Sequence, residues 1–311
     1  MYLPEFYELA RTSGKQYTML EIAADEELTT DIQKVLIWLK LLDPPVDGKF
    51  GPITTEAFKE FQGYTNCSNV GILDFETSKK LIETDPKELE EFIVSKLRPG
   101  NDLAGRIIKY MLTKDYSISV KPGEFNIVYV EGMNADGTEN TDTPNHFNDR
   151  RMVIEIVNGT PKIVGNWEAT TEPGRFWTVN PMNPNGAARI KFGQYKAWQV
   201  GAHITRHTNQ GKALVQTKPV TVHRDFNKDG FRTGDKLDTG LFGINQHHAN
   251  GAVRHDIGRW AAGCFVGRTA EGHEDFMDII MKDRRYKLNA NYTYETTIIA
   301  GDDLVKNFPV I

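Results

Sequence analysis

Cysteine is scarce in this chain, with only Cys67 and Cys264 among 311 residues. They lie far apart, in segments of different character, which is not the pattern of a disulfide framework and leaves at least one thiol free for other work. Long apolar runs are missing too: nothing is long enough to span a bilayer, so no membrane partner is expected. The opening Met-Tyr-Leu-Pro-Glu-Phe-Tyr-Glu-Leu-Ala carries acids where an export signal needs a basic start and an unbroken apolar stretch. No run of lysine and arginine stands out, and a formal charge of −5 argues against a surface that neutralises phosphates, so nucleic acid is not an expected partner. What is present is 39% hydrophobic residues over a length beyond the usual single domain, which predicts two domains with real cores.

The first domain reads as helical. Ile32, Val35, Leu36, Leu39 and Leu42 recur at helical spacing over Asp31 to Leu42, with Thr30 as the expected cap. Asp43-Pro-Pro-Val-Asp-Gly-Lys-Phe-Gly-Pro follows as a turn in which Gly48 and Gly51 allow positive φ. Thr54 or Thr55 then caps a second helix through Ala57, Phe58 and Phe61, and a third begins after Asp74. No internal repeat is apparent. This order resembles the peptidoglycan-binding domain family on Ile32-Gln33, Leu36 to Leu39, Asp47-Gly48-Lys49-Phe50-Gly51, Thr54 to Gln62 and the closing Gly71-Ile72-Leu73-Asp74. The resemblance implies a three-helix bundle that binds bacterial peptidoglycan. Cys67, inside this module, is assigned no function.

Residues 85–116 read as a helical connector and 1–24 as an N-terminal extension. From Ser117 the texture changes to short β-type runs, Phe125 to Val130, Met152 to Val157, Lys162 to Trp167, Arg175 to Val179, Ala188 to Phe192, Ala213 to Gln216 and Val220 to His223, with Asn158-Gly159 as a hairpin signal. The expected class is therefore α+β: the helical module at 25–84, the connector, and a β-rich domain at 117–311. Trp167, Phe176, Trp177, Tyr195 and Trp198 are expected in the β-domain core rather than on a glycan platform.

The chemistry gathers between His223 and Arg268, which holds four of the eight histidines and the run Gly263-Cys264. A thiol becomes a nucleophile when an imidazole or a positive dipole stabilises its thiolate, and a preceding glycine lets a carbonyl approach backbone N–H groups. His247 or His248 upstream supplies the imidazole. This region resembles the catalytic domain of L,D-transpeptidases over roughly residues 117–285, through Thr171-Glu-Pro-Gly-Arg-Phe, Gly243-Ile244 and Ile257-Gly258 to Gly263-Cys264. The resemblance implies a β-sandwich with Cys264 as nucleophile and His247 as base, and with His248 as the neighbouring alternative. Ala261-Ala262 stand where the family has Ser-His, and Val266 where it has Arg, so His223 or His255 would have to replace the missing imidazole in space.

That chemistry needs no cofactor. Thiolate attack on a peptide-stem carbonyl gives an acyl-enzyme that water resolves by cleavage and an amine by transpeptidation. The acidic start suggests a cytoplasmically made, endolysin-like lytic enzyme brought to the wall or periplasm by a phage particle or an injection machine. Asp225-x-Asn227-x-Asp229-Gly230 has the spacing that opens a calcium loop, although Lys236 stands where a bidentate Glu is needed, and Asp235 or Asp238 would have to close it. A zinc peptidase or amidase built on His223, Asp225 and His247 is the competing mechanism. Glu155, Glu168 and Glu172 are carboxylates available to a glycosidase, and the remaining alternative is an inactive wall-binding protein.

Overall fold

The computed structural model describes residues 1–204 and 209–310, and the chain divides into two compact units, Met1–Leu97 and Arg98–Ile311. The class is α+β. In the first unit run α1 (Leu3–Ser13), β1 (Tyr17–Thr18), α2 (Met19–Ala23), α3 (Glu26–Trp38), α4 (Pro52–Tyr64), β2 (Ile72–Leu73), α5 (Phe75–Glu83) and α6 (Pro86–Ser95). Helix α3 starts earlier than its apolar spacing suggested. Asp25, not Thr30, is the cap, its carboxylate accepting from the Leu28 amide at 3.1 Å, and Glu26 and Glu27 suit the positive helix start. Helix α4 is entered through Gly51 in an extended conformation with Pro52 at the first position, so Thr54 and Thr55 lie inside it; of the two turn glycines only Gly48 is left-handed, at φ 69°.

The first unit contains a repeat that the sequence was not expected to hold. Gln33 and Gln62 stand at the same place in two consecutive helix–turn–helix steps, followed by Gly48-x-x-Gly51-x-x-Thr54 and Gly71-x-x-Asp74-x-x-Thr77. Residues 1–24, read from the sequence as an N-terminal extension, are part of this unit. Leu3, Phe6 and Ala10 of α1 join Leu28, Ile32, Leu36, Phe58, Phe61 and Leu81 in one core, and β1 pairs antiparallel with β2. Leu89 places α6 in the same core.

The second unit contains α7 (Leu103–Thr113), β3 (Phe125–Glu131), β4 (Asp149–Val157), β5 (Thr160–Thr170), α8 (Arg175–Val179), β6 (Ala187–Ile190), β7 (Gly193–Ile204), β8 (Asn209–Gln216), β9 (Val220–Asp225), β10 (Lys236–Gly240), β11 (Gln246–His248), β12 (Phe265–Gly267), α9 (Ala270–Ile280), α10 (Arg284–Leu288), β13 (Tyr294–Ala300) and α11 (Gly301–Asn307). The β-rich expectation holds, with the main sheet closed into a barrel in the order β11-β12-β5-β4-β3-β13-β7-β8 instead of split into two faces. A separate sheet runs β10-β9-β6. The expected hairpin is present: Val157 pairs with Thr160, and Asn158 and Gly159 both take positive φ, the geometry that matches strand twist.

Tyr129, Trp198, Leu214, Phe265 and Ile298 fill the barrel, and Phe276 and Ile280 bring α9 onto it. Arg175 to Val179 is the exception among the expected strands. It forms the short helix α8 because Pro173-Gly174 redirects the chain and the Gly174 carbonyl accepts from the Thr178 amide at 3.1 Å, closing a helical turn.

Candidate functional site

Strands β11 and β12 lie side by side and parallel, with Gln246 opposite Phe265, so the residue one step back on β11 comes to Cys264. That residue is Asn245, whose carbonyl accepts from the Phe265 amide at 2.9 Å. The Cys264 thiol is half-buried, and its Sγ lies 3.5 Å from the Gly243 carbonyl oxygen, to which it donates. Burial pushes the thiol up to about 11, against a smaller lowering by the Asn245 backbone. Gly263 before it has φ 127°, and a Cβ there would fall 2.8 Å from the Ala188 carbonyl of β6. A glycine is what lets the chain pass β6 and turn into β12.

His247 is buried two residues beyond Asn245, with its Nδ1 3.1 Å from the His248 carbonyl. A carbonyl can only accept, so Nδ1 carries the proton and Nε2 keeps a lone pair. Burial pushes His247 down to about 3, helped by His203, whose ring stacks on it at 3.9 Å and 3°. His248 is half-buried, with Nδ1 3.3 Å from the Ala249 carbonyl and its ring 5.2 Å from that of His273.

His203 escaped the sequence reading, because it lies on β7, outside the stretch where the other histidines crowd, and no motif marks it. The Asn245 side-chain oxygen accepts from the Gln216 amide at 3.0 Å, which leaves Asn245 Nδ2 to donate to His203 Nδ1 at 3.0 Å. His203 is thereby held with its proton on Nε2. Among the described residues, no hydrogen bond joins Cys264 to an imidazole. His223 sits on β9 in the separate sheet, opposite Arg189 and Leu237, with a buried Nδ1 that has no partner. His255 is exposed beside His146. The structure thus brings His247 and His248 to the strand beside β12 and leaves His223 and His255 elsewhere.

In the 225–230 turn the carboxylates face backbone amides. Asp225 accepts from Asp229 N at 3.1 Å and Gly230 N at 2.9 Å, Asp229 accepts from Phe231 N at 2.7 Å, and the Asn227 amide donates to Asp229 at 2.8 Å. Asp238 pairs with Arg224 at 2.9 Å, and burial raises Asp235 to about 6. Among the described residues, no three of the His, Cys, Asp and Glu side chains gather as a metal-holding group, and His223, Asp225 and His247 stand apart. Glu155 accepts from Gly123 N, Glu168 bridges Arg254 and Arg268, and Glu172 pairs with buried Arg189.

The aromatic set separates. Trp198 is fully buried with Nε1 donating to the Ile244 carbonyl at 2.8 Å, and Trp167 and Tyr195 pack on the barrel core. Phe176 and Trp177, expected in that core, lie outside it: Phe176 lines an open groove of about 630 Å³ between α8 and the 252–260 loop, and the Trp177 indole donates to the Arg259 carbonyl. They lie there because α8 is a helix on the barrel's outside and not a strand within it.

Residues 25–81 match the family described as putative peptidoglycan binding domain, as the DG-x-FG turn implied. No curated protein matches the chain. Two solved structures align over most of it. A fused Zn-dependent amidase/peptidase/peptidoglycan-binding domain-containing protein from Clostridium acetobutylicum is 13% identical, covering 91% of this chain and 99% of that one at a TM-score of 0.28. An L,D-transpeptidase from Xylanimonas cellulosilytica is 12% identical, covering 87% and 92% at a TM-score of 0.24. Likenesses this loose carry no weight for fold or activity. No helix among the described residues is long and apolar enough to cross a membrane.

Proposed function

We propose that the protein is a peptidoglycan-binding cell-wall enzyme whose second unit cleaves peptide stems through Cys264. The observation that carries this reading is the conjunction of a peptidoglycan-binding match at residues 25–81 with a half-buried thiol set on a glycine turn at the start of β12. The thiolate attacks a stem carbonyl, the amine leaves with a proton, and water hydrolyses the thioester to restore the thiol. His247 keeps an unprotonated Nε2 and is the base in this reading, with His248 the neighbour that could take its place.

A second reading, a wall-binding protein without catalysis, has its own support. The thiol is pushed up to about 11, and among the described residues no imidazole is hydrogen-bonded to it.

Purified sacculi separate the two. Fragment release by the wild type that disappears in Cys264→Ala supports thiol chemistry, and product masses name the bond. Loss only with a chelator moves the mechanism to zinc, and binding without release leaves the wall-binding reading. Calcium titration that gives no heat removes calcium from the 225–230 turn.

A further inference from the structure

The open groove on the second unit is formed by α8 and the 252–260 loop. Arg175 and Arg259 both stand exposed on its walls, and among the described residues neither meets a carboxylate. Arg259 lies over Phe176, its guanidinium carbon 3.6 Å from the ring centroid, and the Trp177 indole donates to the Arg259 carbonyl at 3.0 Å. This guanidinium is therefore positioned by stacking, with its N–H fork left open, the geometry that suits a carboxylate. The one acid on the wall, Asp256, is engaged by the Asn145 amide at 3.0 Å. Trp260 and Val253 add exposed apolar surface, 37% and 67% accessible. The groove is joined to the thiol through the chain: Gly174, which opens α8, donates to the Ala261 carbonyl at 2.9 Å, three residues before Cys264.

We infer that this groove is a binding subsite for the carboxylate-bearing peptide stem of peptidoglycan, with Arg175 and Arg259 taking its carboxylates and Trp260 and Val253 its aliphatic side chains. The inference rests on the proposed wall-directed function. Guanidiniums without carboxylate partners favour an anionic peptide over the neutral sugar backbone, which an aromatic face alone would serve.

The test uses the full chain carrying Cys264→Ala, so that ligand is not consumed, and isothermal titration with three probes: the free-acid tetrapeptide L-Ala-γ-D-Glu-L-Lys-D-Ala, its fully amidated analogue, and chitotetraose. The free-acid peptide is expected to bind. Arg175→Gln with Arg259→Gln is expected to weaken it about tenfold or more, and amidation to do the same to the parent chain with no substitution in the groove. The inference is overturned if the peptide does not bind, if the double variant or the amidated peptide binds equally well, or if chitotetraose is the probe the double variant loses. Sacculus digestion keeps the two readings apart. Release by wild type with a negative titration removes the subsite alone, and groove-dependent titration without release removes the catalysis alone.

Discussion

Gln33 and Gln62 perform the same task one helix apart. Each is buried on its helix, accepts a turn glycine amide with its side-chain oxygen, Gly48 at 2.9 Å and Gly71 at 2.7 Å, and donates to a threonine hydroxyl on the next helix at 3.1 Å. Each turn of the helical module is thus fixed by one side-chain amide that satisfies several groups at once.

Replacing Gln33 by Leu removes the partner of the part-buried Asp47 and Gly48 amides, whereas the Lys49 carbonyl keeps the Gly51 amide and the Thr54 hydroxyl. Water can reach both amides, so the expected loss in the first unit is about 1–3 kcal/mol, together with weaker sacculus binding. Urea unfolding of Gln33→Leu and Gln62→Leu checks this; an unchanged midpoint in both would show the amides to be dispensable.

Arg189 is the hub of the second unit's buried charge. It meets Glu131 at 2.6 Å and Glu172 at 3.0 Å with all three side chains at most 3% exposed, and Arg232 also holds Glu131. Burial opposes ionisation of Glu131, but the two arginines outweigh it and hold its carboxyl below the usual range. Burial raises Asp149 and Glu172 well above theirs. A protonated Asp149 also fits the bonding: the Thr171 hydroxyl lies 2.6 Å from Glu131 and 3.0 Å from Asp149, and its one proton cannot serve both. Arg189→Met is expected to destabilise by about 3–5 kcal/mol at pH 7. The stranded carboxyls then have folded pKa values above their unfolded ones, so part of the loss should return as pH falls from 7 to 5. Thermal melts at the two pH values check both the size and the sign.

The sequence made the helical module legible because its signals are local: apolar residues at helical spacing, a glycine turn and an Asx cap. The same locality misled at Thr30, where Asp25 and two glutamates upstream made the better helix start. It also hid the repeat, whose two steps differ by six residues in the distance from glutamine to threonine. In the second unit the β runs were readable, but nothing in them said that the sheet would close. The placing of Asn245 at Cys264, and of His203 behind it, depends on the parallel register of β11 with β12 and on strand β7, and such long-range pairings leave no local trace.

The stacked imidazoles give acid stability a direction. His247 is held down to about 3 by burial and by His203, whereas an unfolded histidine titrates near 6.5. The folded chain binds fewer protons in that interval, so stability is full above pH 6.5 and falls as pH drops toward 3, by at most about 1.4 kcal/mol per pH unit from this residue. His247→Phe keeps the stack and removes the titration. Chemical denaturation between pH 7 and 4 should show a shallower decline in the variant, and parallel declines would mean that His247 titrates normally.

Cys264 offers the sharpest test of how its thiol is prepared. With burial holding it near 11 and the S–H donating to Gly243, the thiolate fraction at pH 7 is small and grows tenfold with each pH unit until about 11. Iodoacetamide alkylation, followed by mass spectrometry with Cys264→Ala as the blank for Cys67, should therefore be slow at pH 7 and rise steadily through pH 10. A rate already level near pH 7 would mean that an imidazole has taken the proton in the resting chain. A steady rise that becomes a level rate once the free-acid tetrapeptide is added would place activation after binding, because a stem that closes over the thiol brings its own dipoles and changes the local solvation.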